Sequence, residues 1–188
     1  MGLSSASDLF ILTGAPGSGK TVILSRLRSE FRCVDEPARE VLAEQRATGG
    51  TGTWDQDPSQ FVHLLLQRSI EKFETARRSG DTVIFDRGVP DCVAYAVRAG
   101  VDPTRSLAAV DRYRYRRHVL FLDPWSDIYV TDEERIMSFD DTLSFSETLR
   151  DVYERSGYTL VAVPRGSVDD RVAFVRLKVA QFGTIGAR

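Results

Sequence analysis

Eight residues near the N-terminus, Gly14, Ala15, Pro16, Gly17, Ser18, Gly19, Lys20 and Thr21, spell G-x-x-x-x-G-K-[ST], and no other string constrains this chain as strongly. Such a loop needs a strand before it and a helix after it. Both are legible: residues 8–13 form an apolar run with strand propensity, and Val22, Ile23, Leu24 and Leu27 are spaced as one helical face. The glycines let the backbone turn its N–H groups onto phosphate oxygens with no Cβ in the way. The opening turn of the helix adds free N–H groups and roughly half a positive charge. The expected ligand is a nucleoside triphosphate with Mg²⁺, with Lys20 on the β- and γ-phosphates and the Thr21 hydroxyl on the metal. Only three lysines occur, Lys20, Lys72 and Lys178, and one stands where an ammonium is required.

A chain of 188 residues is expected to form one domain, 1–188, large enough to bury about 70% of its unfolded surface. Its formal net charge of -2 argues against a dedicated polyanion binder, and no apolar run approaches the ~20 residues that span a bilayer. No basic segment precedes the first apolar run, so no cleavable leader is expected, and Ala6 stands where the myristoylation motif wants Ser or Thr. Cys33 and Cys92 make neither a C-x-x-C pair nor a disulfide framework. The expectation is a cytoplasmic protein without membrane contact. The sequence does not choose between monomer and homodimer.

Strand-like runs recur at residues 9–13, 31–34, 82–85, 118–122 and 158–163, with helical patterns between them. Strands that alternate with helices imply crossovers, hence an α/β fold with a five-stranded parallel sheet covered on both faces. Phe145, Leu149, Val152 and Tyr153 follow helical spacing, and Ser167 with Asp170 makes a capping box ahead of Val168, Val172, Val175 and Val179. Asp57-Pro58 and Asp102-Pro103 place a capping carboxylate before a proline suited to the first helical position, and Glu36-Pro37 has the same form. Three glycines in residues 47–53 leave little reason for order there, so a loose loop over about 47–57 is expected.

Ligands of such sheets sit beyond the carboxyl ends of the strands. Asp35 and Glu36 follow the second strand, Asp86 the third and Asp123 the fourth. A triphosphate-bound Mg²⁺ recruits one or two carboxylates, and spelling alone does not choose between Asp86 and Asp123.

Beyond the loop, Val34-Asp35-Glu36-Pro37-Ala38-Arg39-Glu40, Phe85-Asp86-Arg87-Gly88-Val89-Pro90-Asp91 with Ala94-Tyr95, and the run from Gly157 to Pro164 carry a resemblance. Together they resemble the small AAA-like P-loop ATPase/kinase family related to the nicotinamide riboside kinase domain, and more distantly the nucleoside and nucleotide kinases. The likeness runs from about Leu9 to Phe182. It implies a first strand mid-sheet beside the third, which brings Asp86 to Lys20 and Thr21 as the Mg²⁺ carboxylate. It implies that Glu36 takes the proton of an acceptor hydroxyl, against the plainer reading of Glu36 as a helix cap. Arg87 would anchor the acceptor with a forked guanidinium or, more plainly, close an ion pair. Asp91 and Tyr95, one turn apart, point at the acceptor or into the sheet. Asp35, Glu36, Arg39, Trp54, Arg87, Asp91 and Tyr95 are thus the candidate acceptor-side residues.

By position, residues 125–140 resemble the lid of small P-loop kinases, with Arg135 as the phosphate-reaching cation among many acids. Residues 163–167 fall where such kinases wrap the nucleobase. ATP is expected; GTP stays open beside it, although no Asn-Lys-x-Asp guanine signature occurs. These features imply an ATP- and Mg-dependent kinase acting on a hydroxyl of a small molecule, nucleoside-like or a specialised metabolite. The alternative is an NTP-binding switch or slow NTPase read by a protein partner. A nucleic-acid role would draw on Arg112, Tyr113, Arg114, Tyr115, Arg116 and Arg117, which read more simply as an exposed helix end before a strand.

Overall fold

The computed structural model describes residues 8–129 and 137–184. The chain runs β1 (Asp8–Gly14), α1 (Lys20–Leu27), β2 (Arg32–Val34), α2 (Pro37–Thr48), α3 (Pro58–Arg77), β3 (Thr82–Asp86), α4 (Val89–Arg98), α5 (Thr104–Arg112), β4 (His118–Leu122), a 3₁₀ turn at Ser126–Ile128, α6 (Phe139–Arg155), β5 (Thr159–Ala162) and α7 (Val168–Thr184). All strand pairings are parallel and the order is β2-β3-β1-β4-β5, which confirms the five-stranded sheet and puts β1 at its centre.

The three central strands, β3, β1 and β4, are buried on both faces, so each divides its apolar residues by alternation. Leu9, Ile11, Val83, Phe85, Val119 and Phe121 pack with α2 to α6, whereas Phe10, Leu12, Ile84, Leu120 and Leu122 pack with α1 and α7. Each such side chain, fully buried, contributes about 1.5–3 kcal/mol to folding.

Helix starts follow the caps written in the sequence. Asp57 accepts the Gln60 N–H at 2.9 Å, and Ser167 accepts the Asp170 N–H at 3.1 Å. Asp102 accepts from Thr104 N–H at 3.0 Å, which starts α5 one residue later than its proline suggests. Glu36 differs: it stands at the N-cap of α2, yet its side chain makes no cap hydrogen bond.

The glycine run expected to be loose is held at several points. Ala47 and Thr48 belong to the last turn of α2, and Gly49 ends that helix at φ 69°. The Gly50 N–H then bonds the Gln45 carbonyl at 2.9 Å, and the Gly52 N–H bonds Gln45 Oε1 at 3.0 Å. A single glutamine, through its carbonyl and its side chain, thereby leads the chain to Trp54, which packs edge-on against Phe61 and Tyr95.

Candidate active site

The phosphate-binding loop leaves the carboxyl end of the central strand. Gly14 is required there by sterics, since a Cβ would stand 2.2 Å from the Leu122 carbonyl oxygen on the neighbouring strand. Gly19, at φ 89°, caps α1 without a side chain, so no side-chain cap competes for the N–H groups of its first turn. Lys20 is buried and its ammonium folds back over the loop, donating to the carbonyls of Gly14 at 2.8 Å and Ala15 at 3.0 Å and to Ser18 Oγ at 3.4 Å. Burial and the charge of Arg87 lower its pKa to about 8, against the pull of Asp86, Glu36 and Asp91.

Register brings Asp86 beside Leu12 on β1, and the Arg87 N–H continues that ladder to the Leu12 carbonyl at 3.1 Å. Asp86 is 5% exposed, and burial raises its pKa to about 6 although Lys20 and Arg87 oppose the shift. Its Oδ1 is buried with no hydrogen-bond partner. An unsatisfied carboxylate oxygen costs stability and is suited to a cation or a cation's waters. Asp123, equal to Asp86 in spelling, is 40% exposed and paired with Arg150 of α6. Among the described residues no group of three or more His, Cys, Asp or Glu converges as a metal site, and the unpaired Asp86 Oδ1 is the oxygen that could hold the metal of a bound nucleotide.

On the other side of Asp86 lies a buried ionic cluster. Arg87, 3% exposed, donates from Nε to Glu36 Oε1 at 2.7 Å and from Nη1 to Asp91 Oδ1 at 3.0 Å. Arg39 adds a bond from Nε to Glu36 Oε2 at 3.0 Å. Burial alone would raise the pKa of Glu36, but Arg87, Lys20 and Arg39 outweigh it and hold the carboxyl at about 2. The glutamate excused from capping α2 is thus an ionised carboxylate, 13% exposed, at the carboxyl edge of the sheet. Arg87 itself has φ 71°, the one non-glycine residue at positive φ among those described, a conformation that costs about 1–3 kcal/mol and recurs at functional sites.

Asp91 resolves toward the interior. It accepts from Thr13 Oγ1 at 2.7 Å, Arg87 Nη1, the Gly88 N–H at 2.9 Å and the Tyr153 hydroxyl. These bonds make it the anchor that aims Arg87 and starts α4, not a group free to meet an acceptor. Tyr95, one turn on, lies under the Arg87 guanidinium at 5.7 Å and joins Trp54, Phe61 and Phe145 in an aromatic cluster. Glu36, Arg39, Arg87, Tyr95 and Trp54 are therefore linked by one chain of contacts. Asp35 does not join it: its carboxylate pairs with Arg28 at the end of α1, and its carbonyl accepts from Lys72 at 3.1 Å. Arg135 lies outside the described residues.

The interleaved arginines and tyrosines before β4 are used locally. Tyr115 is buried against Phe73 and Phe85, Arg114 covers the Tyr158 ring at 4.3 Å, and Arg116 pairs with Asp8. No helix among the described residues is long and apolar enough to cross a membrane.

Sequence reading misses two contributors, the hydroxyls that hold Asp91. Tyr153 is hidden in an apolar stripe, where periodicity records the ring and not the hydroxyl. Thr13 is hidden in a strand.

The AAA_28 family, described as an AAA domain, matches residues 9–171. The chain belongs to this family. A probable thymidylate kinase of Pyrobaculum calidifontis is 27% identical over 185 residues, covering 89% of this chain and 95% of that one. NadR in complex with NR has the same fold, with a TM-score of 0.69 and 15% identity over 94% of this chain and 50% of that one. Deoxyadenosine kinase from M. mycoides, solved with dCMP and dCDP, gives a TM-score of 0.60 at 14% identity, covering 92% of this chain and 98% of that one. The resemblance read from the motifs is therefore met. The kinases among these proteins, taken with the complete phosphate loop, support a P-loop kinase.

Proposed function

We propose that this chain transfers the γ-phosphoryl group of ATP, with Mg²⁺, to a hydroxyl of a small nucleoside-like acceptor. The loop and α1 would hold the triphosphate, Lys20 would leave its carbonyls for the phosphates, and Thr21 and Asp86 would hold the metal. The metal, when bound, would offset charge on the phosphate oxygens. The acceptor would lie against Trp54 and Tyr95 with its hydroxyl on Glu36.

One observation carries the choice of a hydroxyl. The Arg87 guanidinium is already committed to two carboxylates, so this fork is not left for an acceptor phosphate, while Glu36 offers an anionic oxygen. A thymidylate, the substrate named for the Pyrobaculum relative, is itself an anion and would meet Glu36 with like charge. A carboxylate held near pKa 2 is a weak base. Its role is then to orient the hydroxyl and receive its proton late, after the phosphoryl group has largely departed, which suits the loose transition state of such transfers.

The test is a panel of nucleosides and their 5′-monophosphates with MgATP, read as phosphorylated product by mass spectrometry. Turnover with a nucleoside that exceeds turnover with its monophosphate supports the proposal; stimulation by monophosphates alone refutes it. ATP hydrolysis stimulated by a protein partner and by no small hydroxyl would favour the switch instead. Glu36→Gln should lower kcat by about 10²- to 10⁴-fold while nucleotide affinity, measured by calorimetry, stays within about threefold of wild type.

A further inference from the structure

The first turn of α7 delivers a cation to the phosphate loop that the proposed transfer has not used. Arg171 is 5% exposed, and its Nη2 donates to the Ser18 carbonyl at 2.7 Å. Its Nη1 lies against Gly19, where a Cβ would come within 2.7 Å of it, beside the open N-terminus of α1. The indole of Trp125, just beyond β4, flanks the guanidinium at 5.9 Å. The side chain thus touches the loop at the two residues that precede Lys20.

Among the described residues this arginine has no counter-charge. No acidic side chain among the described residues pairs with it, and the neighbouring Asp170 is committed to Ser167, whose hydroxyl donates to it at 2.6 Å. The Arg171 Nε is buried with no partner at all. A guanidinium does not escape burial by losing its proton, and a buried, uncompensated charge is strongly unfavourable. Burial by itself pulls its pKa down. A chain keeps such a group where the missing anion arrives with a ligand, and the ligand of this loop is anionic. The lid, expected to bring a single arginine among acids, leaves the same need open.

We propose that Arg171 is a second cation of the phosphate cleft, anchored on the Ser18 carbonyl and turning its spare N–H donors to the phosphates of the bound nucleotide. The inference rests on the nucleotide-binding reading of the loop. It makes α7, rather than the lid alone, a source of charge neutralisation.

The experiment titrates ATP, ADP, AMP and adenosine, each with Mg²⁺, into wild type, Arg171→Met and Arg171→Lys, by calorimetry and by Trp125 fluorescence in a Trp54→Phe background. Thermal melts are recorded without ligand. One charge-assisted hydrogen bond corresponds to a roughly 10- to 100-fold loss of ATP and ADP affinity in R171M, with adenosine affected less than about threefold. R171K should recover part of that loss. The ligand-free melting temperature of R171M should be unchanged or higher, because an unpaired buried charge has been removed. Equal ATP affinity in wild type and R171M overturns the proposal. So does an equal loss for all four ligands, or an R171M chain that melts earlier or fails to fold, since each would make the guanidinium a strut of the free protein. A wild-type protein that binds none of the nucleotides overturns the reading of the loop itself.

Discussion

Asp86→Asn is expected to make the ligand-free protein more stable while removing nearly all of its phosphoryl transfer. The two effects share a cause. Asp86 has an ordinary pKa of 3.8 and is raised to about 6, first by burial, with one oxygen left unpaired. The folded state therefore binds its proton more tightly than the unfolded state, and above pH 6 its ionisation opposes folding in full. That penalty fades as pH falls from about 6 to 3.8. Two pKa units correspond to about 3 kcal/mol at neutral pH, so the neutral amide should recover roughly 1–3 kcal/mol. For a chain of this size the melting temperature should rise by roughly 2–10 °C. Activity should fall by about 10³-fold or more, because a preorganised charge at the metal is lost in a low-dielectric site. In wild type the acid limb of kcat/KM should lie near pH 6 and the alkaline limb near pH 8, from Asp86 and Lys20 titrating as a coupled pair. A variant that melts earlier than wild type and keeps its activity would show that Asp86 is a structural carboxylate.

Arg87→Met should do the opposite and unfold the protein readily. The substitution leaves Glu36 with only the partly exposed Arg39 and leaves the buried Asp91 without its cation. Breaking a buried pair on one side costs about 3–5 kcal/mol, a large share of the ~5–15 kcal/mol that hold a typical domain. Urea unfolding followed by circular dichroism should show the midpoint shifted accordingly. Arg87→Lys should rescue little, since one ammonium does not reproduce a fork that reaches Glu36 through Nε and Asp91 through Nη1. A loss below about 1 kcal/mol in R87M would mean that the cluster is solvated in solution and that Glu36 is not held as an ionised acceptor.

These contrasts mark where sequence reading is strong. The sheet and its helices follow from alternation, helical stripes and caps, all local and all written within a few residues of where they act. The phosphate loop is local too, so its motif from Gly14 to Thr21 is legible in the spelling alone. The acceptor side is not local. Asp91 reads as pointing with Tyr95 at the acceptor or into the sheet, and the partners that turn it inward, Thr13 and Tyr153, lie 78 and 62 residues away. Only the packing of β1, α4 and α6 brings those hydroxyls together. Glu36 was spelled as a cap, and its diversion to Arg87 is a contact 51 residues apart. Asp86 and Asp123 end strands on either side of β1, and what separates them is Arg150, a residue whose place above β4 no periodicity reveals.

Lys20 has a chemical consequence of its own. An ordinary lysine at pH 8 is almost wholly ammonium, whereas an amine brought down to about 8 is half unprotonated there and has a lone pair to give. The amine over the phosphate loop therefore gives up its proton more readily than an ordinary lysine does. If a nucleotide binds as proposed, an electrophile mounted on a phosphate-mimicking scaffold is expected to acylate Lys20 faster at pH 8 than it acylates Lys178, as peptide mass spectrometry would show.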